Sequence, residues 1–201
     1  MKRNRTLMVA AICVLIICVS VQAFGQFEGK QMRGGLAGGF LIGETEKVDG
    51  KISEALRGYI RYNVKEYLDG DLAASYGGIK GEDYQADLWT IEYKFLMKPY
   101  TFDKWEPYLG VGFGIAYYYS NASFRAPSVK ASGSVGYVPV ALGVEYTLTD
   151  LIRLDANFSL SYSFSDNIVS SKLTNSNGGG LNDAWWGIFV GVSYTVLGGT
   201  Q

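Results

Sequence analysis

Beyond its first thirty residues the chain alternates apolar and polar side chains, with period 2, in eight short segments. That period is the signature of a half-buried β-strand. The pattern predicts strands over Arg33–Gly43, Leu56–Asn63, Tyr67–Ile79, Leu88–Met97, Pro107–Tyr119, Ser134–Tyr146, Leu151–Phe164 and Ala184–Val196. Most are near the roughly 9–11 residues that a tilted strand needs to cross a bilayer. Asn63 to Tyr67 and Thr147 to Leu151 enclose tight turns, and Lys98–Trp105 is a somewhat longer one. Wetter loops, Glu44–Glu54, Lys80–Asp87, Ser120–Gly133 and Ser165–Asp183, are expected at the opposite end. Short turns on one side and longer loops on the other fit an outer-membrane barrel.

The seventh segment shows the two faces. Ile152, Leu154, Ala156, Phe158, Leu160, Tyr162 and Phe164 share one, while Arg153, Asp155, Asn157, Ser159, Ser161 and Ser163 share the other. A soluble up-and-down barrel would turn the same apolar face inward. Two features decide for lipid outside. First, the apolar-face aromatics sort by height. Tyr76, Trp89, Tyr117, Tyr119, Tyr162, Phe164 and Trp186 lie toward loop ends, and Tyr62, Tyr93, Phe95, Tyr146 and Tyr194 toward turn ends. Two aromatic belts around an aliphatic middle suit a bilayer. Second, the polar face is too poor in charge for an outer surface: Gly35, Ala37, Gly39 and Gly43 lie on it in the first segment, and Gly110, Gly112 and Gly114 in the fifth. The expected fold is all-β, an eight-stranded antiparallel up-and-down transmembrane β-barrel over residues 33–196.

An eight-stranded barrel has room inside only for its own side chains. The small residues of the first and fifth segments are expected to make space for Arg57, Arg61, Glu92 and Lys94. Three-residue turns at Val64–Glu66 and Leu148–Asp150 would set Arg61 opposite Asp69 and Glu145 opposite Arg153. With Asp71 and Asp155, these residues predict a lumenal salt-bridge network that fills and pins the barrel, in preference to an ion gate.

Residues 1–25 read as a cleavable signal peptide. Lys2, Arg3 and Arg5 precede an apolar run from Leu7 to Val21, and Val21-Gln22-Ala23 or Ala23-Phe24-Gly25 offers a cleavage site. Ile17 before Cys18 argues against lipidation, and both cysteines, Cys13 and Cys18, would leave with the signal. The balance would then move from 18 basic against 19 acidic residues to 15 against 19, a net of −4. No basic stripe points to nucleic acid. No later segment reaches the roughly 18 unbroken apolar residues of a membrane helix.

The chain has no histidine, which excludes a Ser/His/Asp triad and a histidine metal site. Asp69, Asp71 and Glu92 could support only carboxylate chemistry and read better as salt-bridge partners. The loop acids Glu44, Glu46, Asp49, Glu82 and Asp83 lack calcium-loop spacing. Asn177-Gly178-Gly179-Gly180 lacks the Lys-Ser/Thr of a phosphate loop. No cofactor or metal is expected.

Leu88-Trp89-Thr90-Ile91-Glu92-Tyr93, then Pro107-Tyr108-Leu109-Gly110-Val111-Gly112-Phe113-Gly114, then Val138-Pro139-Val140-Ala141-Leu142-Gly143-Val144-Glu145-Tyr146 resemble the outer-membrane β-barrel domain family. That group includes the OmpA-like transmembrane domain and small OmpW- or OmpX-type barrels. The resemblance implies a Gram-negative outer-membrane protein, and a shared barrel does not carry a shared task. No segment follows for a peptidoglycan-binding domain, so wall tethering is not expected. Gly191-x-x-Tyr194-x-Val196 matches the family's terminal assembly signal in part, and Leu197–Gln201 extends past it. The resulting expectation is a non-enzymatic, monomeric, structural or surface-interacting barrel with both termini in the periplasm. Its partners would be outer-membrane lipid, lipopolysaccharide and the assembly machinery. A narrow channel for ions or small solutes is the alternative.

Overall fold

The computed structural model describes residues 31–44, 50–80, 84–122, 129–164 and 183–197. The segment read as a signal peptide, the Asn177–Gly180 tip and the loop acids Glu46, Asp49, Glu82 and Asp83 lie outside them. Eight strands form: β1 (Met32–Glu44), β2 (Ser53–Lys65), β3 (Leu68–Lys80), β4 (Tyr84–Met97), β5 (Trp105–Ala122), β6 (Val129–Thr147), β7 (Ile152–Ser163) and β8 (Ala184–Leu197). Each pairs antiparallel with its chain neighbours, and β1 pairs with β8, so the sheet closes into a barrel. Closure leaves no free edge in the wall, as lipid demands of a sheet.

Side-chain direction follows the alternation. Leu142 and Ile188 are 63% and 48% exposed on the outside, while Arg61 and Glu145 are fully buried in the lumen. Several strands run past the ends that alternation marks, β4 beginning at Tyr84 instead of Leu88 and β6 at Val129 instead of Ser134. Backbone pairing continues into water, where no apolar face is required, so the pattern stops before the ladder does. Only three residues separate Lys80 from Tyr84. The expected long loop over Lys80–Asp87 is mostly paired strand, with Gly78 against Asp87 and Lys80 against Gln85.

Following paired residues around the wall gives its tilt. Met32 leads to Tyr62, Gly70, Phe95, Val111, Val140, Leu160, Trp186 and back to Ile42, ten residues further along β1. Strand tilt and this offset are linked in any closed barrel, and each step to the next strand climbs toward the loop end. Phe95 on β4 therefore stands two steps above Tyr62 on β2. Tyr93 stands higher still, paired with Leu72 and Phe113 in mid-sheet. Its ring begins well above the turn-end belt in which its sequence position puts it. Its hydroxyl comes down to hydrogen-bond the Tyr62 hydroxyl at 2.7 Å, across the missing side chain of Gly70.

Four lumenal glycines also serve a purpose beyond the space-making expected of the small residues. Gly35, Gly114, Gly133 and Gly143 are paired directly with Tyr59, Tyr137, Tyr118 and Tyr108. In each pair the tyrosine ring occupies the space a Cβ on the glycine would need. These four glycines thus seat aromatic rings against the wall, and the charged chains fill the middle. Toward the loop end the lumen holds an apolar cluster, with Leu41, Ile79, Leu88, Val135, Trp185 and Phe189 packed together with Tyr118 and Tyr137.

Candidate functional site

Inward alternation on seven strands carries charge to the turn-end half of the lumen. Arg57, Arg61, Asp69, Asp71, Glu92, Lys94, Glu145 and Asp155 are all buried there, and Arg153 is partly exposed at its mouth. Three further residues join them: Arg33 on β1, Lys98 just after β4 and Glu106 on β5. All three keep the inward phase of their strands, and Lys98 and Glu106 lie one residue beyond the limits that alternation suggests for β4 and β5. Among the described residues the network holds six cations and six anions.

The pairings differ from those expected. Arg61 faces Asp71 across the β2–β3 ladder, and Asp69 faces Asn63. The connection is a tight Glu66–Tyr67 turn, and the ladder absorbs Val64 as an irregularity. On the other hairpin Glu145 faces Asp155, and Arg153 faces Thr147. The Thr149 hydroxyl accepts bonds from the Leu151 and Ile152 amides, which holds a turn two residues longer than three. Each register is therefore displaced by two residues. Asp155 now stands directly opposite another acid, an arrangement that needs a cation from elsewhere.

That cation comes from across the lumen. The Arg61 guanidinium reaches Glu145 at 2.5 Å, Asp155 at 3.0 Å and Asp71 at 3.0 Å. It lies over the rings of Tyr59 and Tyr108, 5.0 Å from each centroid. Toward the loops, Arg57 pairs with Asp71 at 3.0 Å and Glu92 at 3.4 Å, and Lys94 pairs with Glu92. Toward the mouth, Lys98 contacts Asp69, Glu106 and Glu145 at 2.7, 2.8 and 2.6 Å. Arg33 joins Asp69 at 2.8 Å and Glu145 at 3.2 Å. Arg153 closes the rim on Glu106 at 2.6 Å.

The lumenal tyrosines complete the acids. Tyr108 donates to Asp155 and Tyr137 to Glu92, both at 2.9 Å. Hydrogen bonds to charged groups contribute about 1.5–3 kcal/mol. Tyr137→Phe is therefore expected to lower unfolding stability by about that amount, read as a lower urea midpoint in detergent micelles; an unchanged midpoint would remove the bond from the account. Above Glu92, a cavity of about 20 Å³ is lined by Arg57, Thr90, Glu92, Tyr137, Ser161 and Trp185, among others. That is room for about one water molecule.

The outer membrane protein beta-barrel domain family matches residues 9–195. The chain belongs to that family. As an outer membrane protein beta-barrel it is a protein of the bacterial outer membrane. No curated protein matches it. Solved barrels do. Neisserial surface protein A is 16% identical, with 83% of this chain and 99% of that one covered and a TM-score of 0.60. A major outer membrane protein from Thermus thermophilus is 12% identical, covering 84% and 100%, with a TM-score of 0.57. Ail, the attachment invasion locus protein of Yersinia pestis, is 12% identical, covering 84% and 99%, with a TM-score of 0.51. At such identities the likeness is one of fold. The outward aromatics of this family member include every residue of the two expected belts, from the half-covered Tyr62, Tyr93, Tyr146 and Trp186 to the exposed Phe95, Tyr162 and Tyr194.

Proposed function

We propose that this chain is a non-enzymatic outer-membrane barrel, structural or surface-interacting, whose lumen is held shut by its own salt bridges. One observation carries the reading. Among the described residues the six cations and six anions of the network balance, and apolar side chains cluster in the half above it, beside a void of about 20 Å³ over Glu92. A conducting path needs a row of sites that bind an ion weakly enough to release it. Here each acid is already held by cations at hydrogen-bonding distance. The lack of any histidine and the ion pairing of Asp69, Asp71 and Glu92 argue against hydrolysis with these lumenal carboxylates as base.

Both ends of the described barrel lie on the turn side, where Met32 pairs with Leu197. In this reading that side is periplasmic, a signal peptide has been removed, and the barrel is a monomer that meets the assembly machinery from within and lipopolysaccharide from without. At the other end β5 and β6 stay paired as far as Ala122 and Val129. That places a hairpin well above the β7–β8 rim, a surface suited to outside contacts. Planar-bilayer recording tests the closed lumen. The expected trace is flat at moderate voltage. Well-resolved unitary steps that disappear in Arg61→Met or Glu92→Gln would establish the narrow channel instead.

A further inference from the structure

β5 and β6 are the longest described strands, 18 and 19 residues, and the ladder between them has a gap in its interior. Trp105 through Val111 pair with Tyr146 through Val140, and Gly114 through Ala122 pair with Tyr137 through Val129. Gly112 and Phe113 have no partner on β6. The register is the same on both sides of the gap, so Gly112 stands opposite Pro139 and no extra residue has entered either strand. The other irregularities of the described ladders lie at strand ends, beside Met32 and at Val64.

Pro139 accounts for the gap. Proline has no N–H to give a ladder, and sheets confine it to edge strands and bulges. Pro139 is at neither: it is buried in the wall, and the β6–β7 ladder runs unbroken through its pair with Ser161. The missing bond is the one that an N–H at 139 would donate to the Gly112 carbonyl. Pro107 makes the contrast. It keeps its pairing with Val144, and on its other side β5 has already passed the last β4 pair, Met97 with Leu109. Its missing N–H therefore interrupts no ladder. A wall in lipid satisfies its backbone groups within itself, so the interrupted rung at Pro139 is a weak one.

A second boundary falls at the same height. The β6–β7 ladder ends at Tyr137 with Ser163, followed by one bond from the Phe164 amide to the Gly136 carbonyl. Beyond it, Val129–Val135 pair with β5 alone among the described residues. Thus β6 parts from β7 just where its hold on β5 is interrupted. Between the two breaks stands Tyr137, whose hydroxyl donates to Glu92 at 2.9 Å and whose ring lies 4.9 Å from Trp185. β4 holds β5 as far as Ala122, so the loose margin is β6.

We infer that Pro139 is a joint in the wall. The arm of β6 from Val129 to Gly136 bends toward and away from the β7–β8 rim on a pivot fixed by Tyr137, while the ladder below, Val140–Tyr146, stays closed around the lumenal charges. The loop end thereby has a movable margin that does not open the barrel. The joint adds motion to the surface role proposed above but does not depend on it, and no partner enters its test.

Spin-pair distances test it in the refolded full chain, with Cys13→Ser and Cys18→Ser so that only introduced cysteines are labelled. Ser132→Cys on the arm and Leu142→Cys below the joint are each combined with Leu56→Cys on β2, across the barrel; all three positions are exposed. Double electron–electron resonance in phosphatidylcholine vesicles is expected to give a broad distance distribution for the Ser132 pair and a narrow one for the Leu142 pair. Pro139→Ala restores the N–H and should narrow the first while leaving the second unchanged. Native-state hydrogen exchange needs no substitution. The Val135 amide should exchange about tenfold or more faster than the Ala141 amide, although both lie in the β5–β6 ladder, and Pro139→Ala should remove most of that difference. Heat-dependent gel mobility checks that each variant has folded. A Ser132 distribution as narrow as that of Leu142, or one that Pro139→Ala leaves as broad as before, overturns the joint. If the alanine variant does not fold, equal exchange at Val135 and Ala141 in the unaltered chain overturns it.

Discussion

Replacing Arg61 with methionine is expected to lower the unfolding free energy of the barrel by roughly 3–5 kcal/mol, the usual cost of removing one partner from a buried ion pair. The loss should fall unevenly. Glu145 keeps Arg33 and Lys98, and Asp71 keeps Arg57. Asp155 keeps no cation among the described residues; its remaining partners are the Tyr108 hydroxyl and the Asn157 amide. It also stands directly opposite Glu145. The stranded charge is therefore Asp155, and neutralising it should recover most of the loss. Arg61→Met with Asp155→Asn is expected to be clearly more stable than Arg61→Met alone, and more stable than Arg61→Met with Asp71→Asn. Urea titration in vesicles, followed by gel mobility without boiling, reads all three. If the Asp155 double variant is no better than the single one, Arg61 acts through packing on Tyr59 and Tyr108, not through charge.

Gly112→Ala is expected to be among the most damaging of the small substitutions in the wall. A Cβ there would lie 1.9 Å from the Tyr93 carbonyl oxygen and 2.7 Å from the Lys94 Cα. Both are backbone atoms of the paired strand, so relief requires moving β4 against β5. At Gly114 the obstacle is the Tyr137 ring, which has a torsion with which to yield. Overpacking usually costs about 1–3 kcal/mol, and Gly112→Ala should reach the upper part of that range or fail to refold. Gly38→Ala is the control. It lies on the exposed face with nothing within 4 Å of a Cβ, and such surface changes stay within about 0.5 kcal/mol. Equal refolding yields and urea midpoints for the two alanines would show that the close approach of β4 and β5 is not needed.

Both predictions depend on register, and register is where sequence reasoning ran out. Alternation placed Arg57, Arg61, Glu92, Lys94 and Glu145 inside the barrel, and they are inside. Arg33 was missed, although it shares the inward phase of Gly35, Ala37 and Gly39. Glu106 and Lys98 share the inward phase of β5 and β4, but they lie past the point where alternating residues end. The partners of Arg61 and Glu145 were beyond reach for another reason. The β2–β3 connection is shorter than three residues and the β6–β7 connection longer, because of an irregularity at Val64 and the Thr149 hydroxyl. Neither leaves a mark in hydrophobic periodicity. The tyrosine-for-glycine seats, Tyr59 on Gly35 and Tyr137 on Gly114, likewise join residues that only pairing brings side by side.

Taken by itself, the amino-acid order determined the strand count, the lipid-facing skin and nine of the twelve charges that line the lumen. Each of these depends only on odd or even position, and every strand announces that locally. Closure of the sheet decided which charge meets which, that the glycines hold tyrosines, and that Tyr93 reaches down to Tyr62. A slip of two residues leaves every side chain on its own face while exchanging all of its neighbours. Facing therefore survives an error in register, whereas the lumenal circuit exists only in the one register that the closed barrel adopts.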